Sequence, residues 1–298
     1  MKIRRISSFY LLSAGICLLL ATWAYPRNLP AGQDSRTVVD RPTATQTEIL
    51  DGLVAADIIY LGETHDRPED RQAQLTILEA LYRDNPNMAI GLEMFQRPFQ
   101  GVLDDYLAGK ITEAELVERS EYERRWGFPW ESYAPLLRFA KERQLPVAAL
   151  NVPSEVTRKV AREGLESLTP EERQHIPPFA EIHTDNAAYR QLLQEVYETH
   201  ASAGHGNSTG FDRFLTAQIL WDETMADAIA QYRQAHPDTR IVTIVGRGHV
   251  VYGYGIPSRV ARRLGDAAVQ RSVLFGEVEG EELPASPLIA DYIWQNSQ

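Results

Sequence analysis

The hydrophobic positions of this chain fall into two alternating patterns. Short continuous apolar runs lie at residues 55–61, 87–93, 145–151, 240–246 and 271–276, and such runs are typical of strands that are buried on both faces. Between them, apolar residues recur at three- and four-residue spacing, which predicts helices at residues 68–84, 131–143, 154–164, 170–176, 185–200 and 210–235. Strands that alternate with helices predict an α/β fold, with a mainly parallel sheet flanked by helices.

Two stretches interrupt this alternation. Residues 97–130 and residues 154–210 contain helical patterns but no convincing strand, so we predict that both are helical insertions. Part of the second stretch is expected to form a small helical subdomain beside the sheet.

The N-terminus differs from the rest of the chain. Residues 1–24 combine the basic start "MKIRR" with an uncharged apolar run, which predicts a signal peptide or an N-terminal membrane anchor. Lipidation of Cys17 is a third alternative, although Ile16 stands where a small residue is needed. Residues 25–47 have the polar, Pro-containing composition of a tether, which leaves residues 48–298 as the folded domain. We therefore expect an exported protein that meets the membrane through its N-terminus.

Composition and charge exclude several classes of protein. With 298 residues, of which 44% are hydrophobic and 24% charged, the chain is globular and not disordered. The formal net charge is −11, and no Lys/Arg cluster of the kind that nucleic-acid binding requires is present, so nucleic acid is not expected as a partner. Cys17 is the only cysteine and lies in the export segment, so a processed chain would have no thiol chemistry and no thiolate metal site.

Ionisable and amide side chains follow four of the predicted strands. The first strand is predicted to end at Gly62 and is followed by "ETHD", and similar groups end the second, third and fourth strands. Ligands of open parallel sheets bind beyond the carboxyl ends of the strands, so these side chains are expected to line one shared cleft. They are Glu63, His65, Glu93, Asn151, Arg247 and His249.

Each of these residues also has a structural interpretation. Glu93 and Arg247 can form an ion pair that closes the sheet edge, and His249 can bond to a backbone carbonyl. The convergence of four strand ends favours a site. The helix at residues 210–235 places Gln218 and Asp222 on its apolar face, where they either orient a histidine of the cleft or lie at the edge of the stripe.

A second group of candidate residues lies at residues 183–205. Tyr189 and His200 share one face of the predicted helix, and Tyr197 lies one turn before His200. An amphipathic helix explains this pattern without any ligand. An iron-porphyrin site is the functional alternative, because phenolate is an accepted axial ligand of haem iron and histidine can tune it by hydrogen bonding.

Six sequence blocks, in order along the chain, carry a family resemblance. They are "LGETHD" (61–66), "GLEMFQR" (91–97), "RRWGFPWESYAPLL" (124–137), "ALNVP" (149–153), "FLTAQILWDETMA" (214–226) and "VGRGHVVYGYGIPSR" (245–259). With these blocks the sequence resembles the ChaN-like haem-binding proteins, within the superfamily that includes erythromycin esterases, TraB and Tiki proteins. One Gly-Glu-x-His alone would be a weak signal, whereas six ordered blocks are specific.

The resemblance implies a location in the bacterial cell envelope and a role in haem or iron uptake. It implies that two chains form a homodimer around a stacked pair of haems, with a tyrosine as iron ligand and a histidine of the partner chain assisting. Tyr189 with His200 is the predicted ligand pair, and Tyr197 is the alternative. The positions carried over from the motifs are Glu63, His65, Glu93, Arg247 and His249.

This chain departs from the family pattern at two places. Many relatives have adjacent histidines after the first motif, where this chain has Asp70 and Arg71, and this weakens a metal site. Relatives that are lipoproteins have a small residue before the lipidated cysteine, where this chain has Ile16, so the mode of anchoring is open.

Three functions follow from these residues. The first is a haem-binding envelope protein, in which the aromatic residues of "WGFPWESY" (126–133) line an apolar slot. The second is a hydrolase, in which Glu63 or Glu93 is the general base and His65 or His249 is an acid, a base or a ligand of a divalent metal. The third is an accessory module of a membrane transporter.

Overall fold

The computed structural model describes residues 44–200, 210–276 and 288–295. The strands of its sheet are β1 (Ile58–Glu63), β2 (Met88–Gln96), β3 (Val147–Asn151), β4 (Arg240–Gly246), β5 (Gln270–Phe275) and β6 (Tyr292–Trp294). They lie in the order β3-β2-β4-β1-β5-β6, and every neighbouring pair is parallel. Parallel neighbours need long crossover connections, which the helices supply. The predicted α/β fold is confirmed.

Helices cover both faces of the sheet. Every predicted strand and helix is present, with ends shifted by at most three residues, whereas β6 was not predicted. The helices are α1 (Gln46–Leu53), α2 (Pro68–Asp84), α3 (Gln100–Leu107), α4 (Glu113–Arg119), α5 (Tyr122–Arg125), α6 (Trp130–Glu142), α7 (Ser154–Glu163), α8 (Pro170–Arg173), α9 (Ala187–His200), α10 (Phe211–Ala235) and α11 (Ile256–Leu264).

Gly62 lies inside β1, so the prediction that it ends the first strand was wrong. It pairs with Val245 of β4 and with Leu274 of β5. A Cβ atom at position 62 would lie 2.6 Å from Leu274 Cδ2 and 3.3 Å from Arg247 Cα, so glycine is required for close packing and not for a turn. The strand therefore continues to Glu63, whose backbone is fixed by the sheet.

Each face of the sheet has its own hydrophobic core. Successive strand residues point to opposite faces, so Ile59 and Leu61 pack with helices α1 to α6, while Ile58 and Tyr60 pack with α7, α9, α10 and α11. The helices of the predicted insertion at residues 97–130 belong to the first core. Of those described within residues 154–210, α7 and α9 share the second core with α10.

One side chain covers the outer edge of β3, an edge strand of the sheet. Gln100 Nε2 donates to the Val147 carbonyl oxygen at 2.7 Å, and Gln100 Oε1 accepts from the Ala149 amide at 2.7 Å. The amide group pairs with β3 as a neighbouring strand would. This protects an otherwise open edge from pairing with another chain.

The predicted signal peptide or anchor at residues 1–24 lies outside the described residues, as does most of the predicted tether. The fold begins at the end of that tether, where Thr45 caps α1 and Glu48 bonds back to the Thr45 amide at 2.8 Å. In the parts of the chain that the structure describes, no helix is long and apolar enough to cross a membrane.

Candidate functional site

The carboxyl ends of three central strands bring acidic and imidazole side chains together. Glu63 is the last residue of β1, and His65 follows in the next loop. Glu93 lies in β2, where the pairing with β3 shifts register between Leu92 and Gln96. His249 lies in the 3-10 turn Arg247–His249 that follows β4 directly. Because β4 lies between β2 and β1, these groups meet at one edge of the sheet.

Glu63 and His65 form the first half of the cluster. His65 Nδ1 lies 2.7 Å from Glu63 Oε1, which also accepts from the Tyr133 hydroxyl at 2.5 Å. The second carboxylate oxygen accepts from Gln74 Nε2 at 2.7 Å and lies 3.0 Å from Arg71 Nη1. Every oxygen of Glu63 is therefore bonded, although the side chain is only 1% exposed.

The charge state of Glu63 follows from these contacts. Burial alone would raise the pKa of Glu63, but the hydrogen bond from His65 and the positive charge of Arg71 outweigh it, and the pKa lies below its ordinary value. Glu63 is ionised at neutral pH. The ionised carboxylate holds the His65 ring in place through Nδ1.

Asp222, His249 and Glu93 form the second half of the cluster. His249 Nδ1 lies 2.6 Å from Asp222 Oδ1, and His249 Nε2 lies 3.6 Å from Glu93 Oε1. Burial disfavours the charged ring, but the two carboxylates outweigh it and raise the pKa of His249 to about 10. Glu93 stays ionised as well, because its pKa is lowered against burial mainly by His249. At neutral pH His249 is an imidazolium between two carboxylates.

The two halves meet at Gly246. The Gly246 amide donates to Glu93 Oε2 at 2.6 Å. A Cβ atom on Gly246 would lie 2.9 Å from His65 Nε2 and 3.6 Å from Glu93 Oε2, so His65 and Glu93 both approach this backbone closely. Glu63, His65, Glu93 and His249 are therefore one continuous cluster, which we call the strand-end cluster.

Helix α10 supplies the group that orients His249. Asp222 is fully buried and accepts from His249 Nδ1, so of the two interpretations the structure supports an orienting role for Asp222. Gln218 Nε2 lies 3.2 Å from the same nitrogen, but both are donors when His249 is protonated, so Gln218 lies beside the ring without a hydrogen bond to it. The Tyr189 hydroxyl donates to the other oxygen of Asp222 at 2.6 Å, which extends the hydrogen-bonded chain to α9.

Arg247 and Asn151 lie at the border of the cluster. Arg247 is half-buried and starts the turn that carries His249. Asn151 Nδ2 donates to the Glu93 carbonyl oxygen at 3.0 Å, and Asn151 Oδ1 accepts from the Val152 amide at 2.8 Å. Asn151 thereby joins the ends of β2 and β3 through backbone bonds.

The residues predicted to hold haem lie along α9. Tyr189 is 1% exposed, and burial together with the charge of Asp222 raises the pKa of its phenol well above the ordinary value. As an iron ligand its hydroxyl would first have to leave Asp222. Tyr197 is half-buried, with its ring 5.7 Å from Phe211 and 5.4 Å from Phe214. The side chain of His200 lies outside the described residues.

Several residues that support the strand-end cluster were not predicted in that role. Asp70, Arg71 and Gln74 come from α2, and Tyr133 comes from α6. Asp70 accepts from the Thr64 amide at 2.8 Å, so it holds the loop between β1 and α2. The sequence signal that could have indicated them is the presence of polar residues on the apolar face of an amphipathic helix. A face that serves packing alone would be apolar.

The structure does not show a metal site at the predicted ligands His65 and His249. Among the residues that the structure describes, no group of three or more His, Cys, Asp or Glu side chains could hold a metal ion. His65 and His249 each direct Nδ1 at a carboxylate, and Arg71 supplies the positive charge beside Glu63. A divalent metal at His65 and His249 therefore stays a prediction.

Comparisons with known proteins agree on the family. Residues 49–260 match the model of the family described as haem-binding uptake, Tiki superfamily, ChaN. The fold is similar to that of ChaN of Campylobacter jejuni, solved as a study of cofacial haem binding, with 20% identity, a TM-score of 0.64, and 84% of this chain and 91% of that chain covered. A mutant erythromycin esterase in its open conformation is also similar, with 18% identity and a TM-score of 0.46. That similarity covers 77% of this chain and 72% of the esterase chain.

A curated plant protein is also similar. RETICULATA-RELATED 5, a chloroplastic protein of Arabidopsis thaliana, is 24% identical over 286 residues, which are 88% of this chain but 37% of that protein. This chain therefore spans well under half the length of that relative. Because the family match covers more than two thirds of the sequence, this chain belongs to the ChaN family of haem-binding uptake proteins in the Tiki superfamily.

Proposed function

We propose that this chain binds haem and handles it in the bacterial cell envelope during haem or iron uptake. The family match over residues 49–260 is the observation that carries the proposal. The similar Campylobacter protein is described as binding haem cofacially, which means two haems face to face. We therefore also propose that two copies of this chain associate around a haem pair.

The end of α9 supplies residues that fit a haem. Phenolate is an accepted axial ligand, and aromatic neighbours suit the apolar face of a porphyrin. Tyr197 with Phe211 and Phe214 provides both features. Arg190 lies with its guanidinium 5.0 Å from the centre of the Phe211 ring and 2.6 Å from the exposed Asp212, a partner that it can exchange for a propionate. Tyr189 fits less well because its hydroxyl is buried and already bonded.

Titration of the chain from residue 26 onward with hemin tests the proposal. We expect a Soret band that saturates at an equimolar ratio and a shift to the dimer in size-exclusion chromatography. Tyr197→Phe should lose the band, and Tyr189→Phe should keep it. Weak, non-saturating binding would refute haem binding, and the reverse order of the two variants would restore Tyr189 as the ligand.

Export is the second part of the proposal. It rests on the basic and apolar segment at residues 1–24. We expect the full chain, expressed in a bacterium, to appear in the periplasmic or membrane fraction. The intact mass of the recovered protein distinguishes a cleaved signal from a retained anchor. Recovery in the cytoplasmic fraction alone would contradict export.

We propose hydrolysis at the strand-end cluster as a second function. The observation that favours it is the meeting of two buried imidazoles, each held by a carboxylate at Nδ1, at the carboxyl ends of the strands. His65, held by Glu63, is the candidate general base that takes a proton from water. His249, held as an imidazolium, is placed to stabilise negative charge that develops on a substrate oxygen.

The test of this second function is a screen of ester and amide substrates. Glu63→Gln keeps the shape of the side chain but removes the charge that orients His65, so we expect kcat to fall while circular dichroism stays unchanged. Glu131→Gln, at an exposed carboxylate, is the matched control. Absence of any turnover, or turnover that Glu63→Gln leaves unchanged, would refute hydrolysis at this site.

A further inference from the structure

Two aromatic rings cover the imidazole of the strand-end cluster. The Trp126 ring meets His65 edge-on at 4.8 Å between centroids, and the Phe128 ring lies at 5.1 Å. Both rings belong to residues 121–129, which connect α4 to α6 and which we call the cap segment. His65 itself is 5% exposed. A ligand cannot reach the ring while the cap segment lies in this position.

One side chain attaches the cap segment to the body of the domain. Arg125 Nη1 donates to Gln96 Oε1 at 2.7 Å and to Glu155 Oε2 at 2.7 Å. The guanidinium also lies 4.8 Å from the centre of the Phe99 ring. Gln96 ends β2, and Glu155 lies in the first turn of α7, so Arg125 joins the cap segment to two separate elements.

Two buried hydrogen-bond donors of the cap segment are unpaired in this position within the described part of the chain. Trp126 Nε1 and the Tyr122 hydroxyl are buried and have no hydrogen-bond partner among the described atoms. Leaving buried donors unpaired is unfavourable, so the covered position is less stable than its apolar contacts alone suggest.

The backbone of the cap segment turns at its start and within it. Glu121 has φ +53° and Gly127 has φ +86°, which lie in the left-handed region. Gly127 meets no atom within 4 Å of its Cβ position and directly precedes Phe128. The half-buried Phe128 is therefore held over His65 by less packing than Trp126, which is buried in the core.

We propose that the cap segment is a gate over His65 and that Arg125 holds it closed. Opening requires the loss of the Arg125 bonds to Gln96 and Glu155, and it uncovers the imidazole ring of His65. The purpose of the gate rests on the hydrolysis proposed above. The existence of the gate concerns only the access of molecules to His65.

Modification of histidines by diethyl pyrocarbonate, read by peptide mass spectrometry, tests the gate on the full chain. His183 is exposed and reports the activity of the reagent. His249 is buried and protonated, so it reacts only when the whole domain unfolds. We expect Arg125→Ala to raise the modification rate of His65 about tenfold, the order of change caused by one lost charge-assisted bond, with His249 unchanged.

Two variants complete the design. Arg124→Ala removes the neighbouring arginine, which is 66% exposed and pairs only within the cap segment, so His65 should react as in the wild type. Glu155→Gln removes a single partner of Arg125 and should give an increase smaller than that of Arg125→Ala. Equal His65 rates in Arg125→Ala and the wild type would overturn the gate, as would His65 and His249 rising together. Because the modification rate is measured without turnover, a failed substrate screen would refute the proposed hydrolysis but not the proposed gate.

Discussion

Replacing Asp222 by asparagine tests whether His249 is a buried imidazolium. Asp222 Oδ1 lies 2.6 Å from His249 Nδ1, and Glu93 approaches the other ring nitrogen at 3.6 Å. Burial disfavours the charged ring, but these carboxylates raise the pKa of His249 to about 10. Asparagine has nearly the same shape without the charge. We therefore expect Asp222→Asn to keep the packing and to lower the pKa of His249.

The pKa of His249 sets the size of the effect. The ordinary pKa of histidine is 6.5, so the folded-state pKa of His249 lies above its unfolded value. Protonated His249 therefore stabilises the fold fully below pH 6.5, and this stabilisation is lost as the pH rises toward 10. At about 1.4 kcal/mol per pKa unit, the His249 contribution is about 5 kcal/mol. Removing one partner from a buried ion pair costs about 3 to 5 kcal/mol, so we expect that loss for Asp222→Asn in mildly acidic buffer. In alkaline buffer, where His249 is neutral in both proteins, the loss shrinks to about 1 kcal/mol, as for one neutral hydrogen bond.

Urea unfolding at several pH values measures this difference. Burial raises the pKa of Tyr60 well above its ordinary value, so alkaline pH destabilises the fold of both proteins through this side chain. The informative quantity is therefore the difference in free energy of unfolding between the wild type and Asp222→Asn at each pH, and not the pH dependence of either protein alone.

A constant difference across the pH range would refute the reasoning, because it would mean that His249 is not charged in the fold. Asp212→Asn is the matched control, since Asp212 lies on the same helix with 81% of its side chain exposed. Asp212 pairs with Arg190 at the surface, so we expect this control to stay within about 1 kcal/mol of the wild type, the upper limit for an exposed ion pair, at every pH.

Three further substitutions test single contacts. Gly246 has an ordinary backbone (φ −60°, ψ 139°), but a Cβ atom there would lie 2.9 Å from His65 Nε2. We therefore expect Gly246→Ala to change the imidazole NMR shifts of His65 and to lower the free energy of unfolding by about 1 to 3 kcal/mol. Unchanged shifts would contradict the contact. Gln100→Ala uncovers the edge of β3, and we expect association that grows with concentration in light scattering; a monomer at all concentrations would show that the edge needs no cover. Tyr189→Phe leaves one oxygen of buried Asp222 without its donor, so the free energy of unfolding should fall by about 1 to 3 kcal/mol, and wild-type stability would argue against that bond.

The strands and the meeting of the strand-end residues were predictable because both depend on local pattern. An apolar run followed by polar residues indicates a buried strand and its carboxyl end. Because the strands are parallel, these carboxyl ends lie at the same edge of the sheet. The strand β6 has three residues, too few for a periodic signal, and was missed. Gly62 was misread as a turn because a glycine needed for close packing of Leu274 looks the same in sequence as one needed for chain reversal.

The partners of the cluster were harder to predict. Arg71 and Gln74 reach Glu63 from α2, and Tyr133 reaches it from α6, which lies seventy residues away in sequence. Such contacts depend on the rotation of each helix against the sheet, which the hydrophobic period defines only coarsely. The burial of Tyr189 could not be predicted either, because Tyr197 on the same helix follows the same amphipathic pattern and yet lies half-exposed.

The charges of the strand-end cluster are better explained by function than by stability. Replacing a buried ion pair by apolar residues of similar size usually leaves a fold as stable or makes it more stable. Glu63, Glu93, Asp222 and His249 nevertheless occupy positions that are no more than 5% exposed, at the edge where open parallel sheets bind ligands. Glu63 and Glu93 have lowered pKa values in spite of burial, so the cluster keeps ionised carboxylates beside two imidazoles. Apolar packing would close this edge equally well, whereas only the charged arrangement places carboxylates and the His249 imidazolium where a ligand would bind.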